Sequence, residues 1–182
     1  MEVGVLGWSY KKTPVELRDK IALSTVEQAE LADRLKKSIP IEELTILSTC
    51  NRTEFYFSAR EIKFISNELL KFLVNRWDLE ELKVQAYQTQ DIETARHLFR
   101  VASSLDSMVL GEPQILGQLK EAFKRYKDLG WIGGRFNYLF PSAFHAAKRV
   151  RTETGISSYA VSISFAAVEL AKRIFSDLSQ QR

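Results

Sequence analysis

Residues 41–58 read IEELTILSTCNRTEFYFS, two apolar runs rich in β-branched and aromatic side chains that flank the chain's single cysteine. Such runs, bounded by short polar stretches, predict strands. Residues 41–49 form the first and 54–58 the second, so Cys50 lies in a tight connection between them. Working outward, residues 3–8 (VGVLGW) read as a short buried strand. Residues 14–23 have helical character, with Pro14 suited to a first turn. Ser24-Thr25-Val26-Glu27 has the form of a capping box that opens a helix to about Lys37, and Pro40 closes that segment. Residues 61–77 carry a helical stripe at Ile62, Ile65, Leu69, Phe72 and Leu73. Residues 82–89 are expected to be a further strand, with Leu82, Val84 and Ala86 on one face.

The expected fold class is therefore α+β: a βαββαβ-like sandwich with a mixed or antiparallel sheet and helices on one face. Several helices follow it. They are expected over 95–109, over 113–129 with Pro113 near the start and Gly130 at the end, and over 132–154 with an interruption or kink at Pro141. A loop at 155–159 and an amphipathic helix over 160–178 complete the reading.

Composition bounds what the chain can be. Its 182 residues are 45% apolar and 27% charged, enough for one real core and unlike a disordered chain. A net charge of +3 permits a polyanionic partner without requiring one. One cysteine makes no internal disulfide, which points to a reducing, cytoplasmic setting. The first residues lack the pattern of a signal peptide, and no stretch has the length of a membrane span.

Cys50 draws the chemical reading. A thiolate is a strong nucleophile, nearby positive charge favours it, and Arg52 stands two residues away. The planar fork of Arg52 also matches a carboxylate. Together they suggest an acyl substrate that carries an acid group. On composition alone the plainer reading, a small buried cysteine beside a surface arginine, is favoured. His97, on a helix, could polarise a carbonyl or shuttle a proton, or could simply cap an apolar face. His145 neighbours the basic run 148–154, a phosphate-facing or solvated surface. Ser107, Glu112 and Gln118, with Gly111 and Gly117 among them, could bond an amino acid's polar groups; alternatively Glu112 only opens a helix. No G-x-G-x-x-G follows a strand, and no Walker loop or metal-ligand spacing exists. Two other classes compete: a non-catalytic RNA-binding α/β module, since Phe55, Tyr56 and Phe57 cluster in one strand, and an unrelated cysteine hydrolase, which needs a Cys–His pair.

Five stretches, GVLGWSYKKTPVELRDKIAL, STCNRTEFY, HLFRVASSLDSMVLGEPQILGQLKEAF, KRVRTETGIS and SISFAAVELAK, taken in order resemble glutamyl-tRNA reductase. The resemblance implies that Cys50 attacks the ester joining glutamate to tRNA, leaving a glutamyl thioester. NADPH then reduces the thioester to glutamate-1-semialdehyde, the entry to tetrapyrrole synthesis. It implies that Thr49, Arg52, Ser107 and Gln118 hold the glutamyl group, with Glu112 a further candidate and Arg52 on the carboxylate. His97 is implied beside the reacting centre as a catalytic residue, and Asn51 and Glu54 as fixing the loop. Residues 1–145 would be the catalytic domain, and 146–182 a helical linker with the leading helix of an NADPH-binding domain absent from this chain. On that reading the chain alone binds no NADPH and is monomeric, although the family is dimeric. Its partner is glutamyl-tRNA, with the aminomutase that acts next as a further contact.

Overall fold

The computed structural model describes residues 2–156 together with 170, 171 and 174. Four strands form one sheet: β1 (Val3–Ser9), β2 (Glu43–Ser48), β3 (Arg52–Ser58) and β4 (Tyr87–Gln90). Their spatial order is β2-β3-β1-β4, with every neighbouring pair antiparallel. Each crossover skips one strand, so β3 lies between β1 and β2, and β1 between β3 and β4. This is the split βαβ arrangement, and it resolves the sheet expected as mixed or antiparallel into a wholly antiparallel one.

Helices α1 (Val15–Ile21), α2 (Thr25–Ser38), α3 (Ile62–Trp77) and α4 (Leu82–Gln85) belong to the crossovers, and α5 (Asp91–Ala102), α6 (Gln114–Asp128) and α7 (Gly134–Glu153) follow the sheet. As expected for the βαββαβ unit, the crossover helices α1–α4 share one face of the sheet, and the later helices α5–α7 cover the other. Leu6, Trp8, Leu44, Ile46, Phe55 and Phe57 pack with residues of α1–α4. Val3, Val5, Leu47 and Tyr56 pack with residues of α5–α7. Strand periodicity sorts the two sets, and two-sided burial explains the long apolar runs of β1 and β3. It also closes the sheet to nucleic acid: Phe55, Tyr56 and Phe57 are at most 1% exposed, so no base can stack on them.

Local chemistry accounts for the boundaries. Ser24 Oγ accepts from Glu27 N at 3.3 Å while Glu27 Oε2 accepts from Ser24 N at 2.8 Å, the reciprocal cap that the sequence predicted. The strand expected over 82–89 is mostly absent. Residues 82–85 form a single helical turn, because the Leu82 carbonyl accepts from Ala86 N and from Trp8 Nε1 at 2.9 Å; Val84 points to solvent, 84% exposed. Only Tyr87–Gln90 pairs, along β1. The helix expected over 95–109 instead runs Asp91–Ala102. It stops where Ser104 takes a positive φ of 59° and the chain folds back, with Gly111 N donating to Ser104 O and Ser104 Oγ to Glu112 O.

Helix α7 contains Pro141 without ending there, and it continues through residue 145, where the sequence reading placed the end of the catalytic unit. The expected final helix over 160–178 and residues 157–159 of the expected loop lie outside the described residues, apart from 170, 171 and 174, which are helical. Among the described residues no helix is long and apolar enough to cross a membrane.

Replacing Ser24 by Ala removes one half of the reciprocal cap and should lower the unfolding free energy by about 1 kcal/mol. Urea denaturation checks this; an unchanged midpoint would mean that the cap adds nothing to α2.

Candidate active site

The hairpin between β2 and β3 is only Thr49-Cys50-Asn51. It is stapled by Thr49 N donating to Arg52 O at 2.8 Å, while Thr49 Oγ1 accepts from the amides of Asn51 and Arg52, each at 3.2 Å. With Thr49 thus holding the turn, the Cys50 side chain stands exposed. A cavity of about 150 Å³ opens beside it. One wall is Thr49, Cys50, Asn51 and Arg52; the other is drawn from residues 107–118 and includes Ser107, Glu112 and Gln118. Six of the seven residues singled out in the sequence therefore meet in one place, although up to 69 positions separate them along the chain (Thr49 to Gln118).

His97 is not among the residues of that wall. Its ring sits between Tyr56 and Tyr87, with centroids 6.3 and 5.4 Å away, and Nε2 lies 2.9 Å from Glu54 Oε1. An ionised carboxylate only accepts, so this contact puts the proton on Nε2 and leaves Nδ1 as the other working nitrogen. The link to the cavity is indirect and runs through Glu54 to Arg52.

Glu54 is the hub. Residues 52, 54 and 56 share one face of β3, the face beneath α5–α7. Glu54 is wholly buried, and its carboxylate accepts from Arg52 Nη1 at 2.6 Å, Tyr56 OH at 2.6 Å, Tyr87 OH and His97 Nε2. Gly7 makes the room, since a Cβ there would lie 2.9 Å from both Glu54 Cγ and Tyr87 OH. Burial pushes the Glu54 carboxyl up, but the Arg52 guanidinium and His97 more than offset it and hold it well below the usual carboxylate range. Burial, with the Glu54 charge beside them, raises both phenols, so Tyr56 and Tyr87 remain donors.

Arg52, expected at the edge of a loop, is instead the first residue of β3, with its side chain 1% exposed. Its second terminal nitrogen donates to the Asp106 carbonyl and lies 3.7 Å from Asp106 Oδ2. Asp106 is also bonded by Lys11 Nζ, which with the Arg52 charge outweighs burial and lowers its carboxyl. Glu112 does open a helix: its oxygens accept from the amides of Gln114 and Ile115 at the start of α6, and from Ser107 Oγ at 3.4 Å.

Sequence reasoning missed the stretch from the end of β1 into α1, residues 10–18. Tyr10 N donates to Asn51 O at 2.9 Å, Arg18 Nε to Cys50 O at 3.3 Å, and Lys11 reaches Asp106 on the far wall. No local pattern signals these contacts, which depend on how α1 crosses the sheet. The alternation in R-T-E-F-Y, by contrast, would have grouped Arg52, Glu54 and Tyr56. His145 is exposed on α7, and in the basic run nearby Arg149 is paired with Glu153 at 2.8 and 3.0 Å.

Among the described residues, no group of three or more His, Cys, Asp or Glu could hold a metal ion. The strand-to-helix connections at residues 10–14, 59–61 and 90–91 contain no glycine, so they do not fit the close backbone cradle that a dinucleotide pyrophosphate needs.

An α+β domain with a split βαβ sheet, a lone exposed thiol in a hairpin and a cavity of mixed polar and apolar lining against it is the class that fold and site define. Residues 6–154 match the family described as "Glutamyl-tRNAGlu reductase, N-terminal domain". The chain belongs to that family, the glutamyl-tRNA reductases. Glutamyl-tRNA reductase of Aquifex aeolicus is 45% identical over 184 aligned residues, covering all of this chain and 44% of the relative. That of Syntrophotalea carbinolica is 48% identical, covering 96% and 40%. The solved glutamyl-tRNA reductase from Methanopyrus kandleri superposes with a TM-score of 0.74 at 34% identity, over 94% of this chain and 40% of that one. The chain thus spans less than half the length of these relatives.

Replacing Glu54 by Gln leaves Arg52 buried without its counter-charge and should cost about 3–5 kcal/mol at neutral pH. The native carboxyl titrates below its unfolded value, near 4.3. Its contribution is therefore complete above that value and shrinks as pH falls toward the native one. Denaturation of both proteins across pH 3–7 should show the gap narrowing on the acid side; a gap as wide at pH 3 as at pH 7 would contradict the assignment.

Proposed function

We propose that this chain carries the acyl-transfer half of the glutamyl-tRNA reductase reaction. The supporting observation is the single exposed thiol beside a cavity whose walls hold Thr49, Arg52, Ser107, Glu112 and Gln118 among apolar neighbours such as Met108 and Ile115. The Cys50 sulfur attacks the carbonyl carbon of the ester between glutamate and the tRNA ribose. A carbon–sulfur bond forms, the carbon–oxygen bond to the ribose breaks, and the thiol's proton ends on the departing ribose oxygen. An aminoacyl ester is already activated, so the step asks for orientation more than for a strong base.

Selectivity comes from charge and hydrogen bonding. Arg52 takes the side-chain carboxylate, with its own orientation fixed by Glu54; Ser107 and Gln118 take the polar groups of the amino acid. His97 acts through the Glu54 hub rather than at the reacting carbon, and its ring keeps that carboxylate oriented. In the family the thioester is then reduced to the semialdehyde by a hydride from NADPH, which begins tetrapyrrole synthesis. Residues 1–145 as catalytic unit, 146–182 as linker, a monomer in solution and an aminomutase partner belong to the same reading.

An RNA-binding role without chemistry is the weaker alternative, since the sheet has no open face. A hydrolase with a Cys–His pair is weaker still, because no described histidine lines the cavity.

The test uses tRNA charged with labelled glutamate, mixed with the protein and quenched in acid. Label should remain on the wild-type protein and be absent from Cys50→Ser. Label retained by the serine variant, or released at once by both folded proteins, would remove Cys50 as the nucleophile.

A further inference from the structure

We propose that Arg18 receives the phosphate of the very nucleotide whose ester Cys50 attacks; the proposal rests on the acyl-transfer reading above. Arg18 lies on α1, half-buried, and its guanidinium is anchored to the nucleophile's own backbone: Nε donates to the Cys50 carbonyl at 3.3 Å and Nη1 to the Thr13 carbonyl at 2.7 Å. Both acceptors are neutral. The other cations around the site are differently placed. Arg52 faces Glu54 and Asp106, Lys11 faces Asp106, and Arg100 lies 3.9 Å from Asp106. Arg18 meets no carboxylate among the described residues, and its guanidinium lies against the backbone of the Cys50 hairpin.

The chemistry of the substrate supplies the matching group. In an aminoacyl ester the acyl group sits on a ribose hydroxyl, and the phosphate sits on the 5′ carbon of the same ribose, a few covalent bonds away. Whatever path brings the carbonyl to the sulfur of Cys50, that phosphate arrives within one nucleotide of it. A guanidinium tied to the Cys50 carbonyl is within reach, and its remaining N–H groups form the planar fork that suits phosphate oxygens. The same contact would register the ribose against the hairpin, so that binding energy from a non-reacting group positions the ester.

Two small esters isolate the contact: 3′-O-glutamyl-adenosine, which has no phosphate, and 3′-O-glutamyl-adenosine 5′-phosphate. Acylation of Cys50 is followed by mass spectrometry. With the wild type the nucleotide ester should show a KM about tenfold below that of the nucleoside ester, the size of one charge-assisted contact. In Arg18→Met the ratio of the two KM values should approach unity, and Arg18→Lys, which keeps the charge but loses the fork, should restore part of it. A ratio that survives in Arg18→Met overturns the proposal, as does a loss shared equally by both esters, which would mean that Arg18 only holds the Cys50 hairpin. Because each variant is judged by its ratio, a general loss of folded protein cannot imitate the expected result. If neither ester acylates the wild type, it is the acyl-transfer reading that fails.

Discussion

The site depends on one buried negative charge. Glu54 sits in the central part of the sheet with no contact to water, where an unpaired carboxylate would be untenable. Four donors from three elements satisfy it: Arg52 and Tyr56 on its own strand, Tyr87 on the edge strand and His97 on the first helix of the second layer. Each donor loses its own freedom in the exchange. The carboxylate thus ties the sheet to α5 and fixes the Arg52 guanidinium. A partly satisfied network of this kind would be worse than an apolar core, and this explains why Gly7, which gives it space, lies opposite Glu54 in the β1–β3 register.

The second constraint concerns how a loop can be both exposed and rigid. Thr49 spends its hydroxyl on the two amides that a three-residue hairpin leaves unpaired, and Tyr10 and Arg18 hold the backbone from below. The far wall is steadied separately, by Glu112 on the start of α6 and by Ser104 in a left-handed conformation. Two independently supported walls then define the volume between them, which suits a site in which polar groups must point inward without closing on one another.

Much of this was legible in the chain. The strand pair around Cys50, the reciprocal cap at Ser24 and Glu27, and the stripe on α3 follow from local rules, and all three appear. The STCNR and LDSMVLGEPQILGQ stretches carry the six cavity residues, because motif spacing survives whatever the tertiary detail. What was not legible depended on contacts distant in sequence. Residues 82–85 have strand-like composition, yet a hydrogen bond from Trp8 and the burial of Leu82 draw them into a helical turn. The second helical layer could not be assigned to the opposite face of the sheet from periodicity alone, since a fully buried strand carries no polar side to mark. The position of His97 in its motif says nothing about which way α5 is turned, so its 2.9 Å contact with Glu54 could not be read from the sequence.

The exposure of Cys50 has a redox consequence. A thiol open to solvent enters oxidation at the sulfenic acid stage, which is normally rescued by a neighbouring cysteine that captures it as a disulfide. No second cysteine exists among these 182 residues. Once oxidised, this sulfur can be recovered only by a thiol that diffuses in from outside or lies beyond this stretch of chain. The exposure of this sulfur therefore also leaves it one step from irreversible over-oxidation, and the reducing power of the surroundings becomes part of what keeps the thiol intact.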